Sequence, residues 1–298
     1  MMITPNLHGI FPPIPTPFHE DEVDYGALVD NITRWMRTGI AGMLVLGSNG
    51  EAPFLDQDES QRVVAAAREV TPRDRTLIVG ASAESTKGAI AAVQRAAGAG
   101  ADVVLVRTPS YFKSRMTADV FVRHYTAVAD ASPVPVLPYN VPSFTGVVLP
   151  PAAVARLSRH PNIVGVKDSS GDLTQIGDLV ALTPPGFNVL VGSAPTLYAS
   201  LCVGAVGGIV AAACVVPDLC VRLYELARAN RHAEALALQQ QLTPIAKSVT
   251  STYGVAGLKA ALDLAGYRGG LPRAPLEGAS PEAIDTMRGQ LHALQALA

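Results

Sequence analysis

The chain has 298 residues and a formal net charge of −2; 49% of its residues are hydrophobic, 5% are aromatic and 16% are charged. Disorder requires low hydrophobicity and high net charge, so this composition predicts a folded protein with a large buried core. Acidic residues slightly outnumber basic ones, and the missing basic face argues against a nucleic-acid partner. No apolar stretch of about 18 residues is free of proline and charge, so we expect no membrane span.

The N-terminal sequence and the cysteines bear on the compartment and on metal binding. MMITPNLHGIFPPIPTPF lacks the basic and apolar segments of a signal peptide and the Arg/Ser-rich pattern of a transit peptide, which predicts a cytoplasmic protein. Cys202, Cys214 and Cys220 lie in one apolar stretch without a Cys-x-x-Cys motif. We interpret all three as buried small side chains and expect neither a disulfide framework nor a zinc site.

Short apolar runs alternate along the chain with longer Ala-rich segments. Runs that are apolar on both faces and separated by helices indicate parallel strands covered on both sides. The eight predicted strands are Gly9–Ile14, Gly42–Gly47, Leu77–Gly80, Asp102–Val106, Val134–Tyr139, Ile163–Lys167, Val189–Gly192 and Ala205–Ala211. The helices predicted between the first five strands are Asp24–Thr38, Asp56–Thr71, Ser85–Ala97 and Thr117–Ala131.

Eight such β-α units predict a (β/α)8 barrel, a fold that typically takes about 250 residues. An open doubly wound sheet would usually begin with a glycine-rich turn, whereas the first turn here, Phe11–Phe18, is rich in proline. Further predicted helices are Pro217–Asn230, Arg231–Thr243, Tyr253–Leu264 and Pro281–Leu297. The sequence contains no linker-like segment. We therefore expect one domain spanning 1–298, with the barrel in about 1–230 and C-terminal helices in about 231–298.

A lysine at the end of the sixth predicted strand is the first candidate catalytic residue. Active-site residues of such barrels lie at the C-terminal ends of the strands and in the loops that follow. Lys167 ends an apolar run, where partial desolvation would lower the pKa of its ammonium and leave an amine able to form a Schiff base with a ketone. The alternative is a lysine that pairs with Asp168 or extends to solvent.

Two other strand ends carry candidate groups. Tyr139 ends the fifth predicted strand, where its phenol could relay protons or simply fill the barrel mouth. The turn Gly47–Glu51 offers backbone N–H groups, the Ser48 hydroxyl and a following helix N-terminus, which together suit a carboxylate; many ordinary βα turns look the same. The strand ends hold no histidine, cysteine or clustered carboxylates, so we expect no metal.

Four motifs in order carry a resemblance that covers nearly the whole chain. They are Gly47–Glu51, Thr108–Tyr111, Tyr139–Pro142 and Val164–Lys167. Their order and spacing resemble those of the dihydrodipicolinate synthase/N-acetylneuraminate lyase superfamily of class I aldolases. Within that superfamily the sequence is most similar to 4-hydroxy-2-oxoglutarate aldolases. That similarity lies in Gly47–Glu51, Pro53–Leu55, Glu84–Thr86, Pro161–Val164, Lys167–Ser169, Gly171–Asp172, Gly204–Gly208, Gly269–Gly270 and Arg273–Leu276.

The resemblance implies a retro-aldol reaction without a metal or organic cofactor. Lys167 would form a Schiff base with a 4-hydroxy-2-oxo acid, with 4-hydroxy-2-oxoglutarate as the best candidate and pyruvate and glyoxylate as products. Tyr139 and Ser48 would relay protons together with Tyr111, which the superfamily supplies from a partner subunit. This implies a homotetramer built as a dimer of tight dimers.

The resemblance also implies which residues bind the substrate. Ser48 and Asn49 would hold the C1 carboxylate, with the backbone of Ile209 nearby and Gly192 also in the site. Phe144 stands where dihydrodipicolinate synthases have a carboxylate-binding arginine, and a phenyl ring cannot replace a guanidinium. This departure argues against synthase activity and leaves the distal specificity open.

Three alternatives to this function remain. Two belong to the same superfamily: a 4-hydroxy-tetrahydrodipicolinate synthase and a 2-keto-3-deoxy sugar acid aldolase. The third is a non-catalytic barrel that binds a keto acid. Such a barrel would not require a strand-end lysine such as Lys167 close to Tyr139.

Overall fold

Eight parallel strands close into a barrel in the computed structural model, which describes residues 5–297. The strands are β1 (Gly9–Phe11), β2 (Gly42–Val45), β3 (Thr76–Gly80), β4 (Val103–Arg107), β5 (Val136–Asn140), β6 (Gly165–Asp168), β7 (Asn188–Val191) and β8 (Gly207–Ile209). β1 pairs with β8, and a backbone hydrogen bond of 2.9 Å from Ile14 to Leu44 joins the segment after β1 to β2. The predicted (β/α)8 fold is confirmed.

Helices cover the outside of the barrel and continue beyond it. They are α1 (Tyr25–Trp35), α2 (Gln57–Val70), α3 (Thr86–Gly98), α4 (Ala118–Ala131), α5 (Pro151–Leu157), α6 (Leu173–Leu182), α7 (Leu197–Cys202), α8 (Pro217–Arg228), α9 (His232–Lys247), α10 (Gly254–Leu264) and α11 (Pro281–Ala293). Two four-residue helical turns, Pro142–Thr145 and Ala212–Val215, follow β5 and β8. The predicted C-terminal helices are present. In the described part of the chain, no helix has the length and apolarity needed to cross a membrane.

The helix starts follow from side chains that cap the first turn. Asp24 accepts a hydrogen bond from the Ala27 N–H at 2.8 Å, and the Ser85 hydroxyl accepts one from the Gly88 N–H at 3.0 Å. Asp56 forms a reciprocal capping box with Glu59 at the start of α2. Such caps satisfy N–H groups that have no partner within the helix, and polar residues of this kind are therefore reliable start signals.

Side chains of each strand alternate between two cores. On β4, Val103 and Leu105 face the barrel interior, whereas Val104 and Val106 face the helices. The inner core comprises Leu7, Phe11, Leu44, Ile78, Val103, Leu105, Leu137, Tyr139, Val141, Leu190 and Ile209. Because both faces are buried, the strands read as continuous apolar runs, and the fold class could be predicted from them.

Some predicted boundaries and one burial expectation are wrong. β1 ends at Phe11 and not at Ile14, because Pro12 and Pro13 have no N–H to donate to a neighbouring strand. α11 ends at Ala293 and not at Leu297, since the chain leaves the helical conformation at Gln295, where φ is +55°. Cys202 is exposed on α7, whereas Cys214 and Cys220 are buried as expected.

Candidate active site

The C-terminal ends of β4, β5 and β6 bring three polar side chains to the barrel mouth. Arg107 and Tyr139 are register partners on β4 and β5, and Tyr139 and Lys167 are partners on β5 and β6. Tyr139 belongs to the inner core, and Arg107 is two residues beyond the inward-facing Leu105. Since strand side chains alternate with a period of two, all three side chains lie on the interior side of the sheet.

Lys167 is a buried amine against an aromatic ring. Its side chain is 4% exposed, and its Nζ lies 4.2 Å from the centroid of the Tyr139 ring. Burial lowers the pKa of Lys167, and the neighbouring Tyr139 phenol opposes this shift without cancelling it. Desolvation penalises the charged ammonium, so a larger fraction of the amine is neutral near physiological pH than for an ordinary lysine.

Asp168, next to this lysine, forms hydrogen bonds with other residues. Its carboxylate accepts hydrogen bonds from the Asn140 amide at 2.6 Å and from the Ser170 N–H at 2.9 Å. No ion pair involves Lys167 within residues 5–297. The alternative in which Lys167 pairs with Asp168 at the rim is therefore wrong, and so is the one in which it extends to solvent.

Gly192, which has no side chain, leaves space for the side chains of Lys167 and Ser169. A Cβ at Gly192 would lie 3.2 Å from Lys167 Cε and 1.8 Å from Ser169 Oγ. Ser169 in turn donates its hydroxyl to Tyr139 Oη at 3.5 Å. Ser169 belongs to the stretch Lys167–Ser169 of the sequence resemblance, but no role is predicted for it there.

A cleft of about 700 Å³ extends from the mouth to α2 and α3, where Val64 and Arg95 line it. Of the predicted site residues, Ser48, Tyr139 and Phe144 line it. Asn49 is half-buried in the same turn as Ser48, and Ile209 is buried in the inner core on β8. Lys167 does not line this cleft; its Nζ lies over the ring of Tyr139, which does.

The turn Gly47–Glu51 has fewer available donors than expected. The N–H groups of Gly50 and Glu51 donate to the carbonyls of Gly47 and Ser48, each at 3.1 Å, so they are not free for a ligand. Among backbone bonds of the described residues, the N–H groups of Ser48 and Asn49 have no acceptor. Only a three-residue 3-10 helix, Ala52–Phe54, follows the turn directly; the expected α-helix, α2, begins at Gln57 and is already capped.

Tyr111 is exposed and does not line the cleft. Its side chain is 79% exposed, and its ring makes an edge contact with Phe112, with centroids 5.1 Å apart. The Glu84 carboxylate holds the loop by accepting the N–H groups of Ser110 at 2.7 Å and Tyr111 at 2.9 Å. Phe144, also at the rim, is 69% exposed.

Arg107 is a cleft residue that the sequence analysis overlooked. Its Nη2 donates to Glu84 Oε1 at 3.0 Å, and its Nη1 donates to Ser110 Oγ at 3.0 Å. The available signal was its spacing from Leu105, but the predicted strand stopped at Val106. Among the described residues, no group of three or more His, Cys, Asp or Glu side chains could hold a metal ion.

The family is identified by comparison with known proteins. Residues 6–294 match the model of the Dihydrodipicolinate synthetase family. The chain belongs to this family. It is 36% identical over 293 residues to a 4-hydroxy-tetrahydrodipicolinate synthase of Acidiphilium cryptum, covering 98% of this chain and 100% of that one. It is also 36% identical to a probable mitochondrial 4-hydroxy-2-oxoglutarate aldolase of Emericella nidulans, covering 95% and 94% of the two chains.

Solved structures of the family share the whole architecture. Dihydrodipicolinate synthase from Thermotoga maritima has a TM-score of 0.94 at 29% identity, covering 97% of this chain and 99% of that one. YagE from E. coli K12, solved in complex with pyruvate, has a TM-score of 0.91 at 27% identity, covering 97% and 99%. The protein is thus an enzyme, a pyruvate-dependent carbon–carbon lyase of this family.

Proposed function

We propose that the protein is a Schiff-base-forming aldolase that cleaves 4-hydroxy-2-oxoglutarate to pyruvate and glyoxylate. The observation that carries this proposal is the state of Lys167. It is a buried lysine of lowered pKa, at a strand end of the barrel mouth, beside a phenol and without a carboxylate partner in the described chain. A neutral amine in such a place is a nucleophile for a ketone.

The chemistry begins with attack of the Lys167 amine on the C2 carbonyl. The carbinolamine loses water and becomes an iminium, which withdraws electrons from the neighbouring carbon. Loss of the proton from the C4 hydroxyl then allows the C3–C4 bond to break. Its electron pair moves into the iminium and gives an enamine, and C4 leaves as the aldehyde of glyoxylate. Protonation of C3 and hydrolysis release pyruvate and regenerate the amine.

The hydroxyl groups around Lys167 transfer the protons in this series of reaction steps. Tyr139 lies against the amine and is suited to move protons to and from the carbinolamine and the C4 hydroxyl. The Ser48 hydroxyl is on the same cleft wall as Tyr139. Tyr111, exposed on its own subunit, completes this relay in the site of a neighbouring subunit. The proposal therefore includes a homotetramer built as a dimer of tight dimers.

The C1 carboxylate of the substrate binds at the turn after β2. Ser48 and Asn49 have N–H groups without a backbone acceptor in the described residues, and the Ser48 hydroxyl adds a donor. Hydrogen bonds to an ionised carboxylate are stronger than neutral ones, so these few donors are enough to orient C1. Gly192 preserves the space for Lys167, and the Ile209 backbone lies near the C1 carboxylate.

The choice of substrate rests on the relatives and on Phe144. One relative is named as a 4-hydroxy-2-oxoglutarate aldolase, and others are named as 4-hydroxy-tetrahydrodipicolinate synthases. Those names make the synthase reaction the second candidate. Phe144 offers an exposed phenyl ring to the cleft and no donor, which disfavours the synthase reaction in this chain.

Borohydride trapping tests the proposal. The enzyme is incubated with pyruvate, reduced and digested, and the modified lysine is located by mass spectrometry. We expect a reduced pyruvyl adduct on Lys167 and none in the Lys167→Ala variant, whereas Lys87→Ala, which removes an exposed lysine of α3, traps normally. An adduct on another lysine, or no adduct, contradicts the proposal. The kcat/KM values for 4-hydroxy-2-oxoglutarate cleavage, 2-keto-3-deoxygluconate cleavage and condensation of pyruvate with aspartate semialdehyde then rank the substrates.

A further inference from the structure

A guanidinium stands at the barrel mouth where the inner face of β4 is otherwise apolar. Arg107 continues the inward series Val103 and Leu105, and its side chain is 27% exposed. It lines the same cleft as Tyr139 and Phe144. A charged group in this position needs a reason, because an apolar side chain would extend the inner core at no desolvation cost.

The guanidinium is held in place by three of its five N–H donors, which leaves Nε–H and one Nη2–H without an acceptor in the described residues. Nη1 donates to the Thr108 carbonyl at 3.2 Å and to Ser110 Oγ at 3.0 Å, and Nη2 donates to Glu84 Oε1 at 3.0 Å. Within residues 5–297, Nε has no hydrogen-bond acceptor, and it is not among the buried polar atoms without a partner. A guanidinium that lines the cleft, is fixed by three hydrogen bonds and keeps free N–H donors is suited to a carboxylate that approaches from the cleft.

Glu84 acts as the support of this arginine. Burial raises the pKa of the Glu84 carboxyl, but the N–H groups of Ser110 and Tyr111 and the Arg107 guanidinium together lower it below its ordinary value. The carboxylate therefore stays ionised at neutral pH and orients the guanidinium. Its two oxygens accept from four donors, of which only one belongs to Arg107, so the Glu84 pair does not use up the donors of Arg107.

We propose that Arg107 binds the distal, C5 carboxylate of the substrate and is the residue that selects a dicarboxylic 4-hydroxy-2-oxo acid. This inference rests on the proposed function, which places C2 at Lys167 and C1 at the turn after β2. The rest of the substrate must then extend away from C1 along the mouth. β4 is two strands from β6, a separation of about 10 Å between backbones, which two long side chains and the substrate between them can span.

The other candidate groups for this carboxylate are weaker. Phe144 has no donor. Arg95 also lines the cleft, but it is exposed in the last turn of α3, at the opposite end of that helix from the mouth. Arg95 therefore serves as the matched control, since it is the same residue type on the wall of the same cleft.

A matched pair of substrates tests the inference. 4-Hydroxy-2-oxoglutarate and 4-hydroxy-2-oxopentanoate share the C1 carboxylate, the C2 ketone and the C4 hydroxyl, and they differ only in a carboxylate or a methyl at C5. We expect Arg107→Met to lower kcat/KM for the dicarboxylate about 100-fold and for the methyl compound less than about 3-fold, because a charge-assisted pair is lost only with the former. Arg107→Lys keeps the charge without the planar guanidinium, and we expect it to lower kcat/KM for the dicarboxylate about 10-fold. Arg95→Met should leave both values unchanged.

The ratio of the kcat/KM values for the two substrates distinguishes loss of carboxylate recognition from structural damage. If Arg107→Met lowers both equally, the arginine only supports the Tyr111 loop, and the inference is overturned. It is also overturned if neither value falls, or if the unmodified enzyme traps pyruvate on Lys167 but does not prefer the dicarboxylate. In those cases the Schiff-base mechanism stands. Failure to trap pyruvate on Lys167 is a different result, which removes the proposed function itself.

Discussion

Glu51 and Lys259 form an ion pair with an N···O distance of 2.6 Å, and their side chains are 1% and 0% exposed. Glu51 ends the turn that contains Ser48, whereas Lys259 lies on α10 in the C-terminal part of the chain. Lys259 also donates to the Leu271 carbonyl at 2.9 Å, and Glu51 accepts the Arg273 N–H at 2.8 Å. The pair therefore ties the proposed C1 carboxylate site to the segment that follows α10.

Removing one partner of this pair should cost nearly as much stability as removing both. Lys259→Met leaves the Glu51 carboxylate buried without a counter-charge, and we expect the free energy of unfolding to fall by about 3–5 kcal/mol. In the double variant with Glu51→Gln, the loss should be smaller than the sum of the two single losses. Urea denaturation of the four proteins measures this coupling.

An activity measurement distinguishes a role of the Glu51–Lys259 pair in positioning the turn from a role in stability alone. Glu51→Gln should raise KM more than it lowers kcat, because the turn holds the ground-state carboxylate, and Lys247→Met, a change of an exposed lysine, should have no effect. Additive losses of stability with KM unchanged would show that the pair does not position the turn.

Lys167 should destabilise the fold at neutral pH. Its pKa is lower in the folded protein than in the unfolded chain, because burial penalises the ammonium. Between those two pKa values the unfolded chain binds more protons, so the contribution of this group to stability increases with pH. Lys167→Met removes the cost, and we expect Tm to rise by about 2–4 °C at pH 7 and by less near pH 10, while pyruvate trapping is lost.

Thermal unfolding at the two pH values is the measurement, and Lys87→Met is the control. Replacing that exposed lysine should leave Tm unchanged at both pH values. A lower Tm for Lys167→Met at pH 7 would mean that the lysine contributes packing that exceeds its desolvation cost.

Tyr139 should influence the pH at which the amine reacts. The phenol partly offsets the effect of burial and keeps the pKa of Lys167 from falling further. In Tyr139→Phe we therefore expect the pH profile of pyruvate trapping to shift to lower pH, although turnover falls about 100-fold because the proton relay is broken. Trapping rates across a pH series report the inflection without requiring turnover.

The neighbouring hydroxyl supplies the control for that experiment. Ser169→Ala removes the hydroxyl that donates to Tyr139 but leaves the ring over Lys167, so its profile should stay close to that of the unmodified enzyme. An identical inflection in Tyr139→Phe would show that the phenol does not set the pKa of the lysine.

The barrel and its central lysine could be predicted because both are indicated by local sequence patterns. Doubly buried strands give continuous apolar runs, and the end of such a run at Lys167 is visible without knowing which strands are neighbours. Arg107 was missed for a local reason, since the predicted strand Asp102–Val106 stops one residue before it. The sequence pattern of period two continues through it, and the register with Tyr139 makes it part of the mouth.

The support of the site could not be predicted because it comes from contacts between distant segments. Nothing near Glu51 in the sequence indicates Lys259, and the pair exists only because α10 packs beside the turn after β2. Glu84 likewise belongs to the loop after β3 but holds the loop after β4. Such contacts follow from the closed barrel, in which neighbouring strand ends and the C-terminal helices meet at one edge.

Tyr111 should act in the site of a neighbouring subunit. Its ring and that of Phe112 form an exposed aromatic pair, 79% and 68% exposed, which is unusual for a surface that stays free. We expect a homotetramer by mass measurement in solution. Tyr111→Phe should lower kcat about 10–100-fold with pyruvate binding largely intact, because the hydroxyl moves protons and does not hold the carboxylate.

Mixed subunits test whether the tyrosine acts across an interface. A tight dimer of Lys167→Ala and Tyr111→Phe subunits has one site with both Lys167 and the Tyr111 of the partner intact. Mixing the inactive Lys167→Ala with the impaired Tyr111→Phe variant should therefore raise activity above that of either alone, up to about a quarter of that of the unmodified enzyme after random exchange at equal amounts. Subunit exchange is first verified by native mass spectrometry, and a mixture of Lys167→Ala with Lys167→Met is the control that stays inactive. If activity does not rise in exchanged mixtures, or if a monomer is fully active, Tyr111 does not serve a neighbouring site.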